Sequence, residues 1–167
     1  MSTARRIVVE AAPLTPETWA PFGWLPVLDT DPADGDHTLS FAWADPHLNV
    51  ITHASDEVEH TDDGPVCARL YRHRTHTQAL MPLNCAAVVA VAPASLAFAA
   101  ADDVGEIRAF RLAPQDVFVL HAGTWHWGPF PIGDEPVCLL NVQGRRYSED
   151  NAYVELGPLG VEAVVRS

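Results

Sequence analysis

Short apolar runs, each closed by proline, glycine or paired aspartates, recur along this chain and leave room for little but short β-strands. Such runs lie at 86–92, 95–100, 106–112, 116–121 and 137–142. Pro93, Asp102-Asp103, Gly105, Pro114 and Gly133-Asp134 break them. Within 106–112, Ile107 and Ala109 alternate with Arg108 and Phe110, the two-residue period of a strand. Many short strands at regular spacing with turn signals between them predict an all-β sandwich or closed barrel. A single helix is expected within 13–23, where Thr15 suits the N-cap, Pro16 the first helical position and Glu17 the positive end of the dipole. Polar loops are expected at 29–38 and 55–64. With 167 residues and no repeat or linker, the expectation is one domain spanning residues 1–167.

Composition removes several function classes. A net charge of -12 argues against a nucleic-acid partner, whose phosphates call for a basic face. No apolar run reaches membrane-spanning length, and the N-terminus does not read as a leader, so a cytoplasmic protein is expected. All 10 positive side chains are arginine. The lack of lysine excludes Schiff-base chemistry and a phosphate-binding P-loop, and no organic cofactor is expected. Cys67, Cys85 and Cys138 form no C-x-x-C pair and read as buried reduced thiols.

Chemistry concentrates in two segments about fifty residues apart. Arg72-His73-Arg74-Thr75-His76-Thr77-Gln78 and His121-Ala122-Gly123-Thr124-Trp125-His126-Trp127 together hold four of the 8 histidines. Two strands of a small barrel can point such imidazoles and an amide into one cavity. By strand alternation, His76 faces opposite to His73 unless a turn intervenes. His121 can reach the site only because Ala122-Gly123 breaks the register. His37, His47 and His60 read as exposed loop residues, whereas His53 ends a strand-like run and could face the cavity.

The second segment resembles the Pro-x-Gly-x-x-His motif of the cupin superfamily, with His121 in the proline position and His126 as the histidine. The first segment resembles a degraded His-x-His…Glu motif: Tyr71 stands at the first histidine, His73 at the second and Gln78 at the acid. The resemblance implies a jelly-roll barrel, a double-stranded β-helix. It also implies a divalent ion (Ni, Mn or Zn) on His73, Gln78 and His126. The alternative is that the two histidines serve without metal, binding an anion or shuttling protons.

A more specific likeness covers nearly the whole chain. Tyr71-Arg72-His73 with Thr77-Gln78-Ala79 and Pro82 resembles the Glu-Arg-His-Pro-x-x-Thr-Gln-Ala-Phe-x-Pro stretch of the ureidoglycolate lyase family. Gly123-Thr124-Trp125-His126-Trp127 is similar to its Gly-Thr-Trp-His-His-Pro, and residues 14–23 and 150–156 resemble its start and end. The resemblance implies a homodimeric enzyme of purine catabolism and allantoin degradation that splits ureidoglycolate into glyoxylate and urea. It makes His73, His126 and Tyr71 the catalytic candidates, and Arg72, Gln78, His121 and Trp127 the substrate-binding ones. Arg72 is the first choice for a substrate carboxylate.

The chain departs from that pattern where Tyr71 replaces a glutamate, Trp127 a histidine, Gln143-Gly144 an Asp-Arg pair and Tyr153 an acid. Near residue 53 the family carries an arginine, and this chain has His53. Aromatics gained and charges lost suit a larger or flatter substrate. Two other readings therefore stand beside the lyase: a repurposed lyase, isomerase or cyclase of specialised biosynthesis, and a ligand-binding barrel without turnover.

Overall fold

The computed structural model describes residues 4–27, 37–41 and 45–167. The expected loop at 29–38 lies almost wholly outside these residues. In chain order the elements are β1 (Arg5–Pro13), α1 (Pro16–Trp19), β2 (Gly23–Trp24), β3 (Pro46–His53), β4 (His60–Thr61), β5 (Gly64–Cys67), β6 (Arg69–His73) and β7 (Gln78–Pro82). Then come β8 (Ala87–Ala92), β9 (Arg108–Leu112), β10 (Phe118–Leu120), β11 (Trp125–Pro131), β12 (Val137–Gly144), β13 (Asn151–Glu155) and β14 (Val161–Arg166). They form two sheets, ordered β13-β6-β11-β8-β9-β1-β14-β5-β4 and β2-β10-β7-β12-β3. The chain is all-β, as its turn signals predict, and its two sheets agree with the jelly-roll barrel that the resemblance implies.

Strand alternation sorts the core into two layers. On β8, Val88, Ala90 and Ala92 join one apolar cluster, and Ala87, Val89 and Val91 join the other. The second cluster fills the space between the sheets, where Val89 and Phe110 of the large sheet meet Leu80, Phe118 and Leu139 of the small one. The first cluster covers the other face of the large sheet, beneath Phe98, Val104 and Ile107. Strands buried on both faces read as continuous apolar runs, which explains the Ala87–Ala92 stretch.

Several expectations need correction. The helix is one turn, Pro16–Trp19, capped by Thr15, whose hydroxyl accepts a hydrogen bond from the Thr18 N–H at 3.3 Å. The run at 95–100 is not a strand; Phe98 takes a positive φ of 52° and its ring packs into the sheet's outer cluster. His47 sits half-buried within β3, not in a loop. Of the cysteines, Cys67 is buried, while Cys85 and Cys138 are only half-buried.

Trp19 closes the apolar end of the barrel. Its indole N–H donates to the Val119 carbonyl at 2.9 Å, and its ring meets the rings of Phe110 and Phe118 edge-on at 5.1 and 5.2 Å. Beside it, Gly23 lets β2 approach β10: a Cβ there would lie 1.7 Å from the Val119 carbonyl oxygen. Trp19→Ala is expected to cost about 3–5 kcal/mol of stability, and Thr15→Ala about 1 kcal/mol, read from urea unfolding midpoints.

Candidate functional site

Between the sheets the barrel interior changes from apolar to polar along each strand. On β12 the inward row runs Val137, Leu139, Asn141, Gln143, and on β7 it runs Leu80 to Gln78. At the polar end lies a cavity of about 600 Å³. Its wall includes His73 and Tyr71 from β6, Gln78 from β7, His126 and Trp127 from β11, and His53 from β3.

His73 and His126 come together through strand pairing. β6 and β11 run antiparallel with Tyr71 opposite His126, which puts Tyr71, His73 and His126 on the same face. The His73 and His126 ring centroids are 5.4 Å apart. His126 Nδ1 lies 3.1 Å from the Thr124 carbonyl, a contact that fixes the proton on Nδ1 and leaves Nε2 as the basic nitrogen. Burial, more than the neighbouring imidazoles, pushes His73 down to about 3. Burial likewise brings His126 down to about 4. Both are neutral at physiological pH.

His76 is buried, against the expectation from alternation. The bend at Arg74-Thr75 interrupts the strand and stacks the His76 ring on His73 at 4.7 Å and 19°. Asp150 anchors this turn. Its carboxylate accepts from the backbone N–H and the hydroxyl of Thr75, at 2.7 and 2.6 Å, and lies 3.5 Å from His76 Nδ1. Gly144 makes room for the stack, since a Cβ there would lie 3.1 Å from the imidazole. Sequence reasoning passed over Asp150 and Gly144; their one signal was that both lie in or beside segments already compared with the family.

Gln78 is held by an amide ladder. Its Nε2 donates to Asn141 Oδ1 at 2.8 Å and to Gln143 Oε1 at 3.3 Å, and Asn141 Nδ2 donates to Asn49 Oδ1 at 2.8 Å. Gln78 Oε1 is buried with no hydrogen-bond partner among the described residues. His73 Nδ1 and His76 Nε2 share that condition.

Arg72 does not reach the cavity. It follows Tyr71 on a strand and points the other way, with its guanidinium 4.0 Å over the Trp125 ring and donating to the Ala94 carbonyl at 3.2 Å. Among the described residues the arginine that lines the cavity is Arg69, which shares the face of Tyr71 and His73, donates to the Tyr71 hydroxyl at 3.0 Å and pairs with Glu155. His121 also stays outside the main cavity. It borders a small cleft behind His73, His76 and Gln78, and its ring leans on Trp24 at 5.5 Å. Trp127 belongs to the outer core with Trp125, yet borders the cavity where β11 bulges between Trp127 and Phe130. His53 lines the cavity, its ring 5.0 Å from Phe130 and its Nδ1–H donating to Glu57 at 3.0 Å. Tyr153 is largely exposed at the outer rim beside Arg69.

The implied metal site does not fit these residues. Among the described residues no group of three His, Cys, Asp or Glu side chains is placed to hold an ion. Tyr71 occupies the place of one imidazole donor, and Gln78 offers a neutral amide where a carboxylate would bind strongly.

No helix of the described residues is long and apolar enough to cross a membrane. A comparison with curated proteins finds no match. Among solved structures, the chain is similar to an oxalate decarboxylase described for its substrate binding mode and reaction specificity switch, at 18% identity and a TM-score of 0.41. A two-residue deletion mutant and a tryptophan-to-phenylalanine variant of oxalate decarboxylase, both from Bacillus subtilis, match at the same values. Each match takes in 66% of this chain and 24% of the other, so the chain spans about a quarter of those proteins' length. The profile of the ureidoglycolate lyase family matches residues 44–158, from the start of β3 through β13 and so across the cavity-lining strands. Over that span, which is most of the sequence, the chain belongs to the ureidoglycolate lyase family.

Proposed function

We propose that the protein is a carbon–nitrogen lyase acting on a carbinol of urea, with ureidoglycolate, cleaved to glyoxylate and urea in purine catabolism, as the family's reading of the substrate. The observation that carries this is the pair of neutral imidazoles, His73 and His126, facing one cavity beside the unpartnered Gln78 Oε1. The reaction needs a base for the carbinol hydroxyl, a donor for the departing nitrogen and a group that orients the urea. His126 Nε2 takes the hydroxyl proton as the carbonyl forms and the C–N bond breaks. Tyr71, whose oxygen accepts from Arg69, keeps its own proton free for the departing nitrogen. Gln78 Oε1 accepts a urea N–H, and His73 packs against the reacting centre. No step runs through a metal, because these donors do not make a site for one.

A second reading, a repurposed barrel that takes a larger metabolite, has its own support. The cavity is of a size usual for drug-like ligands, and Tyr71, Trp127, Phe130 and Tyr147 supply aromatic wall. The homodimer is part of the same proposal. Leu48 and Val50 are 63% and 56% exposed on β3, the edge strand of the small sheet, and an uncovered apolar edge favours a second copy. The three free cysteines fit a reducing cytoplasm.

Purified protein is expected to release urea from ureidoglycolate or a close congener. His126→Ala should lower kcat by about 10²–10⁴-fold with the fold intact by circular dichroism. Full activity in that variant would remove His126 from the chemistry. Added Ni, Mn or Zn, or a chelator, is expected to leave the rate within about twofold; a rate lost on chelation would restore the metal. Because His73 and His126 resist protonation when folded, their contribution leaves stability flat above the ordinary histidine value of 6.5. Stability then falls as pH drops from 6.5 towards 3–4, because the unfolded chain binds the protons first. Urea midpoints measured against pH should show this slope, and His73→Asn should flatten it.

A further inference from the structure

We infer that His76 and Asp150 are positioning residues for His73: the carboxylate fixes the His76 ring, and that ring, stacked on His73, sets the plane in which the His73 imidazole meets the reacting centre. This rests on the lyase reading and deepens it. The two cavity imidazoles are oriented by different means. His126 has the Thr124 carbonyl at its Nδ1. The buried Nδ1 of His73 has no hydrogen-bond partner among the described residues. What surrounds His73 is rings: His76 at 4.7 Å and 19°, His126 at 5.4 Å and 45°, and Tyr147 at 6.3 Å and 85°. Rotation about the last side-chain bond of a histidine is soft, so a ring without a hydrogen bond takes its plane from its neighbours. Of these neighbours His76 is the nearest and the one close to parallel.

His76 is itself held from several sides. It is 3% exposed, its Nδ1 lies 3.5 Å from Asp150 Oδ2, and the Phe41 ring lies nearly parallel to it at 6.5 Å and 19°. The backbone at Gly144 closes on its edge, where a Cβ would stand 3.1 Å from Nδ1. Burial, only partly offset by Asp150, pushes His76 below its ordinary value. The neutral ring carries one proton, and the carboxylate keeps it on Nδ1.

The turn alone does not call for a charge at position 150. The Thr75 N–H and hydroxyl could donate to a neutral amide oxygen as they do to this carboxylate. Although burial opposes it, the Thr75 hydrogen bonds hold Asp150 below its ordinary value, so an ionised side chain sits there at 9% exposure. Burying a charge is costly, and here the group that uses it is the imidazole beside it.

The test measures kcat and KM for ureidoglycolate in variants whose fold is checked by circular dichroism. His76→Leu keeps bulk and loses the flat ring, whereas His76→Phe keeps a flat ring. Neither has a proton for Asp150, so their difference isolates the stack. His76→Leu is expected to lower kcat about tenfold with KM within about twofold, and His76→Phe to bring kcat back to within about threefold of wild type. Asp150→Asn should lower kcat about threefold, with no further loss when added to His76→Phe, because the charge acts through the imidazole. If His76→Leu does not fold, His76→Met, also without a ring, takes its place. Equal kcat in the Leu and Phe variants, or a change confined to KM, would overturn the inference and leave the lyase reading standing. Asp150→Asn at the wild-type rate would strike the carboxylate from the pair. If the wild-type protein does not cleave ureidoglycolate, the lyase reading fails and imidazole nitrogen NMR decides the inference. His73 resonances that move in His76→Leu and return in His76→Phe uphold it, and His73 resonances unmoved in His76→Leu overturn it.

Discussion

The alternation of side chains across β6, β8 and β11 is the constraint on which the rest of the molecule depends. Each of these strands has one face in the outer apolar layer and the other towards the interior. Val88 and Ala90 therefore build wall while Val89 and Val91 build core. By the same rule Trp125 goes to the wall and His126 to the cavity. A slip of one residue in any of these pairings would exchange the imidazoles for tryptophan or arginine. Register, more than any single contact, sets the chemistry of the cavity.

The fold was largely legible because turn residues cut the chain into pieces of strand length. The run at 95–100 misled because it is apolar for a different reason: it supplies Phe98 as a cover for the large sheet. At the site, His73, His126 and Gln78 were legible from their motifs. Arg72 was misplaced for a reason visible in the sequence itself, since a residue adjacent to Tyr71 and His73 on one strand cannot share their face. The position of His76 depended on a bend that local sequence does not announce. Arg69 could have been found by counting back along β6 from His73 and Tyr71 in steps of two. The acidic mouth could not, because Glu57 and Glu155 are separated by more than half the chain and meet only when the sheets close.

Electrostatics and packing act together at the polar end. Removing His73 and His126 from water keeps both uncharged, so the two imidazoles can sit 5.4 Å apart without repulsion. The negative groups are placed at the mouth, where water and the partners Arg6, His53 and Arg69 accompany them. Apart from the Asp150 carboxylate under His76, the interior is thus polar without being charged, and the cavity's other carboxylates stand at its rim. That division allows a cavity of this size in a small barrel without a buried ion pair and its desolvation cost.

The amide ladder has a direction. Every N–H in it is donated one way, from Gln78 to Asn141 and from Asn141 to Asn49, so the buried Gln78 Oε1 is the unpartnered end of a polarised file. Turning any one amide over would oblige the others to turn with it, and the unpartnered end of the file would then be a donor instead of an acceptor. The polarity of the recognition point is thus recorded as far away as β3, in a residue that does not line the cavity, and a change of ligand preference could begin there without altering a single wall residue.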